Sequence, residues 1–248
     1  MNKLTELDQI IFEDYPVYTG GINDTLNSKN KIINTINPHS YIVSKSDKEF
    51  YSALKESDVL LPDGAGIIMA VSFLYNVKIR KITGPDFMNF LLNHGNKKNH
   101  KVFFLGSSVE VLNLIQKKCL SLYPNLSIDF YSPPYSSKFT LLDNKVMIDK
   151  INLFGPDVLF VGMTAPKQEK WVYMHKNSIK AKKIVSVGAA FDWFSGLKSP
   201  PLEISKKFHL SWLERFIREP VRMAPRIKSM LHFLYIIFSL KLKSIFKR

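Results

Sequence analysis

The chain has 248 residues, 46% of them hydrophobic and 23% charged, which is enough apolar content to bury a full core and excludes gross disorder. Its one cysteine, Cys119, excludes an internal disulfide framework and fits a reducing compartment. A formal net charge of +14 points to an anionic partner: nucleic acid, anionic lipid or a phosphorylated substrate.

The first residues, Met1-Asn2-Lys3-Leu4-Thr5-Glu6, hold no apolar signal-peptide core. Tyr15-Pro16-Val17-Tyr18 is a candidate edge strand. Lys31 to Asn37 is short and β-branched, a strand. Asp47 to Ser57 has apolar positions at Phe50 and Leu54, the spacing of a helix. Asp58 to Leu61 is a strand that ends in an Asp-Gly turn, and Gly66 to Tyr75 is a buried helix. Pro85 to Asn93 opens with the proline expected in a first helical turn. Lys101 to Leu105 is a strand closed by Gly106, and a helix runs from Val109 to Leu122, carrying Cys119 as a core thiol. Ser127 to Tyr131 is a strand, Leu141 to Phe154 a helix, and Asp157 to Val161 a strand closed by Gly162. Lys167 to Lys176 is helical, and Lys183 to Val187 is a strand closed by Gly188. This alternation predicts an α/β fold, a Rossmann-like, mostly parallel sheet with helices on both faces, over residues 1–196.

The pattern changes over residues 197–248, which read as a basic helical C-terminal appendage. A Pro-containing loop, Leu197 to Pro201, precedes helical segments interrupted at Pro220 and Pro225. From Lys198 onward there are twelve Lys/Arg against three Asp/Glu, so this end holds most of the positive surplus. Ser229 to Arg248 pairs an apolar face with cations. Its apolar run, Met230 to Leu240, falls short of the roughly 18–20 residues needed to span a bilayer. It suits either the membrane interface, with cations on anionic headgroups, or a dock on the protein's own core or on a partner subunit. A cytoplasmic protein, peripheral on the inner face of the plasma membrane, is the expectation.

Four motifs fall at strand ends, where open α/β sheets bind ligands. Thr35-Ile36-Asn37-Pro38 offers polar groups suited to sugar hydroxyls or phosphate, or to an ordinary turn. Pro62-Asp63-Gly64 places a carboxylate where a general base would sit, although Asp63 would equally cap the next helix. Pro166-Lys167-Gln168-Glu169 opens a helix whose N-terminus favours an anion. Gly188-Ala189-Ala190-Phe191-Asp192-Trp193-Phe194-Ser195-Gly196 reads as an aromatic loop carrying one acid. Arg215, Arg218, Arg222 and Arg226 recur at steps of three and four, roughly one helical face.

Taken together and in this order, with Gly84-Pro85-Asp86, Phe104-Leu105-Gly106, Trp212-Leu213-Glu214-Arg215 and Glu219-Pro220-x-Arg222, these motifs resemble the WecG/TagA/CpsF family of bacterial glycosyltransferases, from about Thr35 to Arg226. The resemblance implies an inverting, metal-independent transferase that needs no cofactor. It would move N-acetylmannosamine or a related hexose from a UDP donor to a sugar on an undecaprenyl-diphosphate lipid, for teichoic acid or another surface polysaccharide. It implies Asp63 as catalytic base. Thr35, Asn37, Gly64, Lys81, Pro166, Lys167, Gln168, Glu169 and Asp192 would bind substrate, with Lys81 near the place of a family arginine. Arg215, Arg218, Arg222 and Arg226 would close over the donor diphosphate at the membrane. The residues agree with this chemistry: no Asp-x-Asp pair and no paired His spacing offers metal ligands, so Arg or Lys must stabilise the leaving diphosphate. A homo-oligomer is compatible with the sequence.

Three rival readings are weaker. A nucleic-acid binder would need a groove-reading motif, and here the cations alternate with an aliphatic face. A dinucleotide oxidoreductase would need Gly-x-Gly-x-x-Gly after a strand, and Phe104 to Val109 has one glycine. A non-catalytic scaffold of a polysaccharide assembly complex is separated from an enzyme only by activity.

Overall fold

The structure, a computed structural model, describes residues 8–27, 31–199 and 211–246. Its strands are β1 (Gln9–Phe12), β2 (Tyr15–Tyr18), β3 (Ile32–Ile36), β4 (Val59–Pro62), β5 (Lys101–Leu105), β6 (Ser127–Tyr131), β7 (Val158–Val161) and β8 (Lys183–Ser186). They form one sheet in the order β1-β2-β4-β3-β8-β7-β5-β6, parallel except for the β1–β2 hairpin. The chain runs outward from β3 to β4 on one side, whereas β8, β7 and β5 lie on the other. The carboxyl ends of β3 and β8 therefore flank a switch in winding direction, the place where such sheets leave a crevice. Tyr15–Tyr18 is not the edge strand expected from sequence. β1 covers it, because the left-handed residue Glu13, φ 52°, lets the chain turn back and pair.

The helices are α1 (Pro38–Ser46), α2 (Lys48–Lys55), α3 (Ala65–Tyr75), α4 (Gly84–Asn96), α5 (Val109–Leu122), α6 (Leu141–Phe154), α7 (Lys167–His175), α8 (Ala190–Ser195), α9 (Ser211–Arg218) and α10 (Pro220–Phe246). Asn37, Asp47, Thr83, Ser108 and Thr140 cap the first turns of α1, α2, α4, α5 and α6 with side-chain oxygens. Alternation along the strands divides the core. Ile33, Val59, Leu61, Phe104, Phe160 and Val185 face α4, α5 and α8. Residues one step out of phase, such as Ile36 and Leu60, face α1, α2, α3 and α10, while Leu159 and Ile184 face α6 and α7. Cys119 is buried, and burial pushes its thiol up to about 12, as suits a core thiol.

Three expectations are corrected. Residues 190–195 form α8 rather than a loop, and Phe191 is buried edge-on against Phe104 of β5, with ring centroids 5.6 Å apart. Pro225 does not interrupt a helix: α10 runs through it, starting from Pro220 at a first turn that tolerates proline. The four arginines do not share one helix, since the chain breaks at Glu219 between α9 and α10. The Pro200–Pro201 pair and the side chains of Arg215 and Arg222 lie outside the described residues.

α10 is two-faced. Met223, Phe233 and Ile237 are buried, and Phe233 packs edge-on against Tyr41 with ring centroids 5.1 Å apart. The opposite side exposes Leu231, Leu234, Tyr235, Phe238, Leu242 and Phe246, one stripe at helical spacing. One face of this segment therefore docks on the protein's own core, one of the environments expected for it, and the other face is exposed. Among the described residues no helix is long and apolar enough to cross a membrane.

The β5, β7 and β8 ends meet through bare backbone. A Cβ on Gly162 would lie 2.2 Å from the Phe191 ring, and one on Gly106 would lie 2.7 Å from the Gly162 carbonyl oxygen. Gly162→Ala is expected to cost about 1–3 kcal/mol by overpacking, a fall in Tm of roughly 2–12 °C. Thermal unfolding checks this, and an unchanged Tm would mean that the Phe191 ring moves aside without cost.

Candidate functional site

The carboxyl edge of β3 and β4 brings the first two motifs together. The strands pair in register, Ile36 beside Pro62, and the ladder continues one bond further as Asp63 N–H donates to the Ile36 carbonyl at 2.9 Å. Asn37 and Asp63 are thus neighbours at the mouth of the crevice. Asn37 Oδ1 accepts from Ser40 N at 3.0 Å, capping α1. Its Nδ2 makes no bond among the described residues and is the donor it can offer a ligand. Gly64 takes φ 95°, which favours glycine, and turns the chain into α3. Gly66 then lets α3 approach α1: a Cβ there would lie 2.4 Å from Pro38 Cγ. The N-termini of both helices consequently open beside residue Asp63, where their partial positive charge favours anions.

Two further strands complete the rim. Thr35 is half-buried on the α4/α8 face of β3, two residues before Asn37. The stretch before α4 runs along the end of β4, with Ile82 N–H donating to the Pro62 carbonyl at 3.1 Å, so half-buried Lys81 lies close to Asp63 in the chain's path. On the other side of β3, the loops after β7 and β8 are tied by Gln168. Its Oε1 accepts from Met163 N and from Gly188 N, each at 3.1 Å, and its Nε2 donates to Glu169 Oε1 at 2.8 Å. Gln168 and Glu169 are only 2% and 3% exposed, so both act from beneath the loops. A cis Ala165–Pro166 bond precedes α7.

The remaining expected residues are placed differently. Lys167 Nζ donates to the Ser136 carbonyl and sits 3.6 Å from the centroid of the Phe139 ring. It holds the loop after β6, and burial lowers its pKa. Asp192 pairs with Lys198 at 3.1 Å, and Lys198 also reaches Glu219 at 3.5 Å, which ties α8 to the start of α10. Arg218 pairs with Glu214 at 2.5 Å and donates to the Ser199 carbonyl at 3.3 Å. Arg226 lies near His39, close enough to lower that residue's pKa. The structure thus gathers Thr35, Asn37, Asp63, Gly64 and Lys81, with Gln168 behind them. It does not bring Lys167 or Arg218 to them. Among the described residues no three His, Cys, Asp or Glu cluster in a way that could hold a metal ion.

Two residues in this region escaped the sequence reading. Lys198 was visible only as one more cation. His39, in the first turn of α1, bonds Ser229 Oγ of α10 through Nδ1 at 2.9 Å. Ser229 Oγ also donates to the Pro225 carbonyl at 3.0 Å, so its one proton is committed there and His39 Nδ1 is the donor. This bond joins the C-terminal helix to the helix that Asn37 caps. No sequence signal pairs residues so far apart.

Burial first, and the Arg226 charge second, lower the His39 pKa. The unfolded chain therefore binds this proton more readily. Stability from neutral His39 is present above the unfolded value of about 6.5 and is lost as pH falls from there through the folded value. Acidification below about pH 6.5 is expected to loosen α10, read as faster proteolysis near Glu219. His39→Gln should remove most of that pH dependence, and an equal dependence in the variant would exclude His39 as its source.

Comparison with known proteins fits this geometry. Residues 15–246 match the glycosyl transferase WecG/TagA/CpsF family. One relative, the N-acetylglucosaminyldiphosphoundecaprenol N-acetyl-beta-D-mannosaminyltransferase of Staphylococcus aureus strain MW2, is 28% identical over 87% of this chain and 83% of its own length. The protein of the same name from strain MRSA252 is 29% identical over the same shares.

Proposed function

The chain belongs to the WecG/TagA/CpsF family of glycosyltransferases, and from that premise we propose that it transfers N-acetylmannosamine or a closely related hexose from UDP to an undecaprenyl-diphosphate-linked sugar, with inversion and without a metal. The observation that carries this reading is the meeting of Asp63 and Asn37 between two helix N-termini at the carboxyl edge of β3 and β4. The staphylococcal relatives, whose names specify a mannosaminyl transfer onto a lipid-diphosphate sugar, support the substrate class.

In this mechanism Asp63 accepts the proton of the acceptor hydroxyl as its oxygen attacks the anomeric carbon. The bond from that carbon to the UDP oxygen breaks on the opposite face, and UDP leaves with the electron pair. The negative charge developing on the diphosphate is met by cations rather than a metal. Lys81 and Arg226 are the described candidates, and Arg215 and Arg222 belong to the same basic segment. Asn37 Nδ2 and Thr35 Oγ orient sugar hydroxyls. Residues 197–248 bring the enzyme to its lipid acceptor: the apolar stripe of α10 enters the interface of an anionic membrane while flanking lysines, Lys228 and Lys243, meet headgroups. The enzyme then works on the cytoplasmic face.

The deciding experiment measures transfer from a panel of UDP-sugars to a short-chain lipid-diphosphate N-acetylglucosamine, with EDTA present. Product names the donor, and turnover only on adding a divalent metal would overturn the metal-independent reading. Asp63→Asn should keep UDP-sugar binding and lower turnover by about 10²–10⁴-fold, the usual worth of a general base; full activity would remove Asp63 from that role. For the membrane, Tyr235→Glu with Leu242→Glu changes exposed positions only and leaves Phe233 and Ile237 docked. Binding to vesicles containing anionic lipid should fall, with Tm little changed. Undiminished binding would place the lipid contact elsewhere.

A further inference from the structure

Behind the loops that Gln168 ties together lies a group of buried polar atoms with no hydrogen-bond partner among the described residues: Glu169 Oε2, Ser186 Oγ and Asn34 Oδ1. They share one layer. Ile184 of β8 packs in the cluster with Trp171 and Val172 of α7, so Ser186, two residues on, faces α7 as well. Asn34 of β3 donates from Nδ2 to the Ala53 carbonyl and to Ser57 Oγ at the end of α2, so it faces the same side. β3 and β8 pair with Ile33 beside Val185, which sets Asn34 beside Ser186 across strands about 4.8 Å apart. Gln168 reaches Gly188, two residues beyond Ser186, and Glu169 is the next residue of α7. Asn34, Ser186 and Glu169 are each 3% exposed or less.

Orphaned polar atoms in so dry a layer are costly, and donor counting says what relieves them. An ionised Glu169 has no proton to give. It can take the Ser186 hydroxyl proton, which leaves the Asn34 oxygen without a donor. A protonated Glu169 gives its proton to Ser186 Oγ, and Ser186 gives its own to Asn34 Oδ1. A small rotamer shift or one enclosed water closes the chain, and all three atoms are then satisfied. We propose that Glu169 is a positioning residue that works as a neutral acid, its one proton closing the chain Glu169–Ser186–Asn34 while its other oxygen fixes the Gln168 carboxamide and, through it, the loops after β7 and β8. This rests on the glycosyltransferase reading only in that those loops form the crevice wall.

The surroundings favour the neutral form. Burial pushes the Glu169 carboxyl up to about 7, against the Gln168 and backbone hydrogen bonds that favour its charge. The nearby charged groups are engaged with other partners. Lys170 of α7 pairs with Asp47 and Glu49 of α2, and Lys167 holds the Ser136 carbonyl. Glu56, at the end of α2, is taken by Lys176 and Tyr173. Lys183, at the opposite end of β8, bonds the carbonyls of Thr25 and Asn27.

The test needs no substrate in its first arm. Infrared spectra of the full chain near pH 6 should contain a carboxylic-acid carbonyl band that is absent from Glu169→Gln; an unchanged band pattern would overturn the neutral acid. In the second arm, donor KM is measured where transfer is detectable. Glu169→Ala should raise it by about tenfold, the worth of one buried hydrogen-bonding group left unpaired. Glu169→Gln, which keeps one donor and one acceptor in place, should restore most of it. Equal damage from both variants would show that the charge, not the hydrogen-bond pattern, is needed. Native KM should rise as pH passes upward through about 7, and that rise should vanish in Glu169→Gln. Failure of transfer in the native protein with the infrared band present would count against the substrate assignment alone.

Discussion

The parallel pairing of β3 with β4 is the constraint on which the site depends. Two short strands, each four or five residues long, stay in register to their last residue, and the bond from Asp63 N–H to the Ile36 carbonyl carries that register into the loops. The candidate site is referenced to it. Asn37 and Asp63 each sit one residue beyond a paired strand, on backbone whose position the ladder has already fixed. The close approach of Gly66 to Pro38 then locks the two following helices side by side. A slip of one residue would turn every side chain of β4 to the opposite face and separate the two polar groups at the same stroke.

Much of this was legible in the sequence. KVFFL, DVLFV and KIINTIN announce buried strands by β-branched and aromatic content, and the glycine after β5, β7 and β8 marks where each strand gives way to a loop. The helices expected over Asp47 to Ser57 and Leu141 to Phe154 stand within a few residues of those bounds. What the sequence hid was long-range. Nothing in Tyr15–Tyr18 says that β1 will cover it. The aromatic run around Phe191 looks like a binding loop, whereas its ring fills the space that Gly162 leaves. Lys167 looks like an anion donor until the Phe139 ring and Ser136 carbonyl claim it. Ser186 and Asn34 were visible as polar letters in apolar strands, but only the β3–β8 register shows them side by side.

The C-terminal helix carries two apolar stripes, one buried and one exposed. An ordinary surface helix buries one stripe and hydrates the rest. α10 buries Phe233 and Ile237 against α1 and leaves a second apolar stripe bare. Phe73 of α3 extends that bare surface: its ring stacks edge-on with Phe238 at 5.6 Å, and Lys241 caps its carbonyl at 2.7 Å. α1 and α3 are also the helices whose first turns frame Asp63. α10 is thus joined to α1 by side-chain packing and the His39–Ser229 bond rather than through a loop.

The ring of Phe233 lies 6.1 Å from that of Phe12, so residues near opposite ends of the chain share one cluster. Phe12 of β1, Tyr41 of α1 and Phe233 of α10 close this cluster together. The helix that Asn37 caps therefore rests on a segment drawn from the other end of the chain, and removing α10 would open the rings of Phe12 and Tyr41 to water, with the loss of their buried apolar area.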